Sequence, residues 1–183
     1  LLVPTPFNVP VAEIFQLLYK TLFRTHLEYA SPVWSPTLKM DIRSIERVQR
    51  RATRLVPNLK DLTYAERLQH LKLPTLEFRR LRTDLMFIYK LSHDLIRLDT
   101  NTHCKICTHN MPMLAPSLSQ NTRGHNLKYQ ILHDHGIRSR FLTSRCIKTW
   151  NNLNTSTVNA TNINSFKQNL SKDRSMPNQY IYS

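Results

Sequence analysis

The sequence predicts a mainly α fold, a small helical bundle or array followed by a short β element and C-terminal helices. Apolar residues recur at three- and four-residue spacing through most of residues 11–98, as one face of a helix requires. Prolines and capping residues punctuate these runs at helix-length intervals. Alternation of period two appears at 126–131, beyond the helical part. A chain of 183 residues can hold one domain with a real core, or two small units.

In the first predicted helix, Val11, Ile14, Phe15, Leu18 and Leu22 follow Pro10 on one face, and the pattern runs to about Tyr29. Pro32 and Pro36 bracket Val33 and Trp34 in a link expected to be extended, because the residue before a proline is pushed away from helical geometry. Trp34 is then expected to be a packing anchor. From Asp41 to about Pro57 a second helix places Ile42, Ile45, Val48, Ala52, Leu55 and Val56 on its buried sector. Thr63 and Glu66 have the spacing of a capping box, and a short third helix follows to about Leu71. Pro74 and Thr75 open a long fourth helix to about Leu98, with Phe78, Leu81, Leu85, Ile88, Tyr89 and Ile96 as its apolar stripe.

Between Asp99 and Gln120 the helical period gives way to Asn, Thr, Ser and Pro, the composition of a linker. Residues 1–98 are therefore expected to form a helical domain, 99–121 a linker, 122–172 a small α+β region and 173–183 a disordered tail. In the third of these, Leu127, Tyr129 and Ile131 alternate with Asn126, Lys128 and Gln130 as in a half-buried strand. Leu142, Cys146, Trp150 and Leu153 return at helical spacing, and Asn164 or Ser165 is expected to cap a last helix carrying Phe166 and Leu170.

Lys and Arg number 26 against 12 Asp and Glu, a formal charge of +14, which favours a polyanionic partner. Nucleic acid is favoured over an acidic membrane surface, and no apolar run approaches the roughly 20 residues of a membrane-spanning helix. Three cysteines are too few for a disulfide scaffold, so the chain is expected to be intracellular. It begins at Leu1 without an initiator Met or a signal-like start, and is expected to be a piece of a longer protein. Gly124 and Gly136 are the only glycines, which rules out a Gly-rich phosphate loop or a dinucleotide fingerprint.

The most informative local feature is on the second helix. Opposite its apolar sector, Arg43, Arg47, Arg50 and Arg54 are spaced four, three and four, with Arg51 beside them. Asp41 and Glu46 cannot neutralise five arginines, so this ridge is expected to meet phosphates. Arg79 and Lys90, off the stripe of the fourth helix, join it as candidate nucleic-acid contacts. Cys104 and Cys107, flanked by His103 and His109, have the spacing of half a zinc site, but His125, His133, His135 and Cys146 are too scattered to complete it. The reading is therefore no metal and no cofactor. His133 and His135 flank Asp134 and are read as surface histidines. Paired carboxylates for two-metal phosphoryl transfer are missing, so no catalytic residue is assigned.

Several segments resemble, in order, the non-LTR retrotransposon reverse transcriptases. Tyr19–Trp34 (YKTLFRTHLEYASPVW) is similar to the segment after their palm; Ile45–Val56 (IERVQRRATRLV), Tyr64–Leu73 (YAERLQHLKL) and Pro74–Leu85 (PTLEFRRLRTDL) follow. Tyr89-Lys90, Arg123-Gly124-His125, Trp150-Asn151 and Phe166-Lys167 then recur in family order. The family's usual Leu-Pro after Trp-Asn reads Leu153-Asn154 here, and 99–121 carries little likeness. The resemblance implies that residues 1–98 are a thumb, and that the chain is a non-catalytic C-terminal part of an RNA-directed DNA polymerase whose palm lies upstream. Its implied partners are that palm and nucleic acid, either RNA or an RNA–DNA hybrid. The alternatives are a self-standing basic helical module that meets an acidic protein, and a small zinc-stabilised binding domain.

Overall fold

A computed structural model describes residues 11–96, 116–117, 124–131, 136 and 140–178. These residues are mainly helical, in the elements α1 (Val11–Leu18), a π-helical turn (Tyr19–Phe23), α2 (Arg24–Glu28), α3 (Ser31–Trp34), α4 (Lys39–Thr53), α5 (Tyr64–His70), α6 (Leu76–Ser92), α7 (Leu142–Asn151), α8 (Thr155–Val158) and α9 (Ile163–Lys172). Two compact units divide within α6, the first holding the described residues up to Arg80 together with Asn178, and the second running Leu81–Pro177. The division thus precedes the 99–121 stretch expected to be the linker. Leu85, Ile88 and Tyr89 belong to the core of the second unit, so α6 is not wholly part of the first.

In the first unit Tyr19, Val56, Leu68, Leu71 and Leu73 are buried together, with Ala12, Phe15, Ala52, Leu59 and Tyr64 against them. The first helix does not pack on the face expected. Val11, Ile14, Leu18 and Leu22 are exposed, and the inward row is Ala12, Phe15 and Tyr19. The π turn begins at Tyr19, whose hydroxyl donates to Gln49 Oε1 at 2.8 Å, so a polar anchor sets the rotation of this helix. Trp34 also departs from expectation: Ser31–Trp34 is a helical turn with Pro32 near its start, and Trp34 is 40% exposed, its indole N–H donating to the Tyr29 carbonyl.

With so few glycines, the chain ends its helices on other residues. Lys72 takes a left-handed conformation (φ 47°), and the Leu73 N–H donates to the Leu68 carbonyl at 2.9 Å, closing α5 in a Schellman motif. Asp94 (φ 53°) does the same after α6, where the Leu95 N–H reaches the Lys90 carbonyl at 2.9 Å. The fourth helix therefore stops at Ser92 and not near Leu98. The capping box of α5 forms as its spacing predicts: the Thr63 N–H donates to Glu66 Oε2 at 2.7 Å, and the Thr63 hydroxyl accepts from the Glu66 N–H.

The core of the second unit joins Leu85, Ile88 and Tyr89 to Cys146, Trp150, Val158, Phe166 and Leu170. Tyr89 stacks on Phe166 with centroids 4.3 Å apart and donates its hydroxyl to the Ala160 carbonyl at 2.6 Å. The expected β element is reduced, among the described residues, to one antiparallel bridge between Pro116 and Tyr129. Beside it the Ser117 N–H donates to the Lys128 carbonyl at 2.9 Å, while the backbone groups of Tyr129 go to a side chain: Asn151 Oδ1 accepts the Tyr129 N–H at 3.0 Å, and Asn151 Nδ2 donates to the Tyr129 carbonyl at 2.8 Å. An amide on α7 thus satisfies both backbone groups of Tyr129.

The stretch beyond Lys172, expected to be disordered from its start, is held at Asp173. This buried carboxylate accepts the Asn154 N–H at 3.0 Å and the Thr157 hydroxyl at 2.8 Å, and its other oxygen accepts the Ser175 N–H at 3.0 Å.

Candidate nucleic-acid interface

The ridge is built on α4, whose buried side is unlike the one the apolar pattern suggests. Glu46, Gln49 and Thr53 are the fully buried residues of this helix, while Val48 and Leu55 are exposed. The polar trio has partners throughout. Gln49 Nε2 donates to the Pro74 carbonyl at 3.1 Å and to the Tyr64 hydroxyl at 3.2 Å, and Tyr64 in turn donates to Glu46 Oε1 at 2.5 Å. The Leu76 N–H donates to Glu46 Oε2 at 3.0 Å, and Arg67 Nε donates to Thr53 Oγ1 at 3.3 Å. A satisfied polar network replaces part of the expected apolar seam, which rotates the helix and leaves Val48 and Leu55 outside.

The spacing of Glu46, Gln49 and Thr53, three and four, is itself a helical-face pattern. It escapes a reading that weighs apolar residues alone. Burial pushes the Glu46 carboxyl above the ordinary carboxylate range, against the hydrogen bonds from Tyr64 and Leu76 that favour its charged form. The Tyr64 and Tyr19 hydroxyls are raised, chiefly by burial and next by the nearby Glu46.

On the other side of α4, Arg43, Arg47, Arg50, Arg51 and Arg54 are all exposed. Glu46, one of the two acids expected to temper the ridge, is turned into the interior and is 1% exposed. Among the described residues no ion pair involves Arg43, Arg47, Arg51 or Arg54. The Arg50 guanidinium lies over the Tyr64 ring, 4.8 Å from its centroid, which orients the group without cancelling its charge. Along the helix the arginines from 43 to 54 span about 16 Å, at roughly 1.5 Å per residue.

Two further candidates are on α6. Arg79 is half-buried and binds Glu28 in a two-pronged ion pair, with its NH2 group 2.7 Å from Glu28 Oε2, so its charge is already matched. Lys90 lies half-buried in the Leu81–Ser92 part of α6, in the second unit.

Cys104, Cys107, His103, His109, His133, Asp134 and His135 lie outside the described residues. Among those described, no group of three His, Cys, Asp or Glu side chains is placed to hold a metal ion. His125 is buried, with Nε2 at 3.0 Å from the Trp150 carbonyl, and burial lowers its pKa. The Cys146 thiol donates to the Leu142 carbonyl at 2.6 Å, and burial pushes it up to about 12, so it is an inert core group. Among the described residues no helix is long and apolar enough to cross a membrane.

No family model, curated protein or solved structure matches the chain.

Proposed function

We propose that the chain binds nucleic acid through backbone phosphates, with Arg43, Arg47, Arg50, Arg51 and Arg54 as the contacts, as a non-catalytic C-terminal part of a retrotransposon reverse transcriptase. The observation that carries the reading is electrostatic: five exposed arginines share one side of α4 while its central acid, Glu46, faces the interior. Arg79 is set aside, because Glu28 already holds it. The collinear resemblance supports the second half of the reading. Tyr19, Glu46, Gln49, Tyr64 and Leu76, which hydrogen-bond one another, all fall in the recurring segments. RNA or an RNA–DNA hybrid is the ligand the resemblance implies, and chemistry would come from an upstream palm.

The test is a fluorescence-anisotropy titration of the chain with labelled RNA and a labelled RNA–DNA hybrid near physiological salt, with polyglutamate as competitor. Binding to either nucleic acid in roughly the micromolar range, typical of phosphate-directed contacts, with polyglutamate a poor competitor, supports the reading. Absence of binding, or ready displacement by polyglutamate, points to an acidic protein partner and contradicts it.

A further inference from the structure

Resting on the phosphate-binding reading, the solvent side of α4 narrows the class of ligand. Followed around the helix at about 100° per residue, the arginines come in the order Arg50, Arg43, Arg54, Arg47 and Arg51. Beyond Arg50 the surface turns inward to buried Glu46. Beyond Arg51 it continues through exposed Ser44 to Leu55, in the turn that closes the helix, and Val48, which are 75% and 41% exposed, and then to exposed Asp41 in the first turn. Met40, 73% exposed, lies between Arg47 and Arg51 at the N-terminal end of the same side. The C-terminal half of the cationic row therefore has an aliphatic border on one flank, which Ser44 and Asp41 continue toward the N-terminus of the helix.

We infer that this strip takes a single-stranded polynucleotide, its phosphates along the arginine row and its bases over Leu55, Val48 and Met40. Such a strand has a charged edge and an apolar edge side by side, the same one-sided arrangement as the helix. A duplex stacks its bases inside and offers the apolar border little but charged backbone. An anionic bilayer is matched by a helix whose apolar residues hold the outermost position with basic groups at their sides. Here Arg51 and Met40 lie opposite the buried arc of Glu46, Gln49 and Thr53, the other arginines flank the aliphatic groups on one side only, and the exposed Asp41 lies on the other.

The experiment uses the full chain and labelled probes of equal length: oligothymidylate, an abasic strand with the same number of phosphates, and a duplex, with vesicles of phosphatidylserine and phosphatidylcholine as a separate arm. The wild type is expected to bind oligothymidylate at least about fivefold more tightly than the abasic strand, a difference within the range of base-contact contributions. A variant carrying Met40→Gln, Val48→Thr and Leu55→Gln is expected to bind both equally, with an unchanged salt dependence. All three positions are exposed, so the fold should survive, and circular dichroism checks it. The wild-type comparison needs no variant. Equal affinity for the two strands, a duplex that outcompetes oligothymidylate, or a base preference kept by the folded variant overturns the inference while leaving salt-dependent phosphate binding intact. Vesicle binding abolished by the triple substitution also overturns it. If no strand binds in a salt-dependent manner, the phosphate reading itself has failed.

Discussion

The carboxylate of Glu46 accepts the backbone N–H of Leu76 at 3.0 Å, so a residue in the middle of α4 caps the first turn of α6 from 30 positions away. A negative group at a helix N-terminus satisfies an otherwise unpaired donor and complements the helix dipole. The same contact removes the central acid of α4 from the arginine side.

Glu46→Gln should therefore destabilise the protein. Either oxygen of a carboxyl, protonated or ionised, can accept, whereas an amide nitrogen cannot, so the Tyr64 hydroxyl or the Leu76 N–H loses its acceptor, and leaving a buried donor unpaired costs roughly 1–3 kcal/mol. The pH dependence has a definite sign. Because burial raises the Glu46 pKa, its contribution is fully present below the ordinary carboxylate range and declines as pH rises through the raised value. Urea unfolding should show the gap between wild type and Glu46→Gln narrowing as pH rises through that window. A gap that widens would contradict this placement of the carboxyl.

Asp173 titrates in the opposite sense. Its burial would raise the pKa, but the hydrogen bonds from Asn154, Ser175 and Thr157 outweigh it and hold the carboxyl below its usual range. The stabilisation is present above the ordinary carboxylate pKa and is lost as pH falls through the depressed value. Asp173→Asn is expected to cost roughly 1–3 kcal/mol near neutrality and progressively less on acidification. Thermal melts of both proteins across the acid range measure the difference.

The two-way contact of Asn151 with Tyr129 should be as sensitive. Asn151→Ala removes the partner of both the Tyr129 N–H and its carbonyl. The expected loss is about 1–3 kcal/mol, with faster hydrogen exchange at the Tyr129 amide. Trp150 next to it donates to the Leu127 carbonyl at 2.8 Å and should keep that segment in place, so exchange at distant amides of α9 should change little.

How far these features could be read from the sequence depended on the kind of signal. The capping box at Thr63 and Glu66, the inward row of α6 and the helical spacing of Leu142, Cys146 and Trp150 are local patterns, and each is realised. The exposure of the ridge arginines was also legible, from charge periodicity alone. The inward turn of Glu46, Gln49 and Thr53 was not, because a buried polar network depends on partners such as Tyr19, Tyr64 and Pro74 far along the chain. For the same reason alternation at Leu127, Tyr129 and Ile131 suggested a strand, when among the described residues only a single bridge forms and the backbone of Tyr129 is held by a side-chain amide on α7. The left-handed residues Lys72 and Asp94 gave no warning either, since glycine is the usual signal for that geometry.

Lys72 offers a test of that last point. A non-glycine residue pays steric strain in the left-handed region, partly offset by the greater chain entropy that glycine brings to the unfolded state. Lys72→Gly is expected to raise stability by roughly 0.5–1 kcal/mol, seen as a higher urea midpoint with an unchanged slope. A lower midpoint would show that Lys72 is stabilised there by something other than the Schellman geometry.

The central claim is that the exposed arginines of α4 bind phosphates, and the salt dependence of affinity tests it most directly. Replacing Arg43, Arg47, Arg50 and Arg54 by Gln keeps helix propensity nearly unchanged, so a folded variant reports charge. Affinity of the wild type for labelled RNA and for an RNA–DNA hybrid should fall steeply with salt. Each phosphate contact removed should flatten the log–log slope by roughly 0.7 on a single strand and about 0.9 on a duplex. A clearly shallower slope in the fourfold variant, with its melting curve intact, is the predicted result. The same slope in wild type and folded variant would contradict the account.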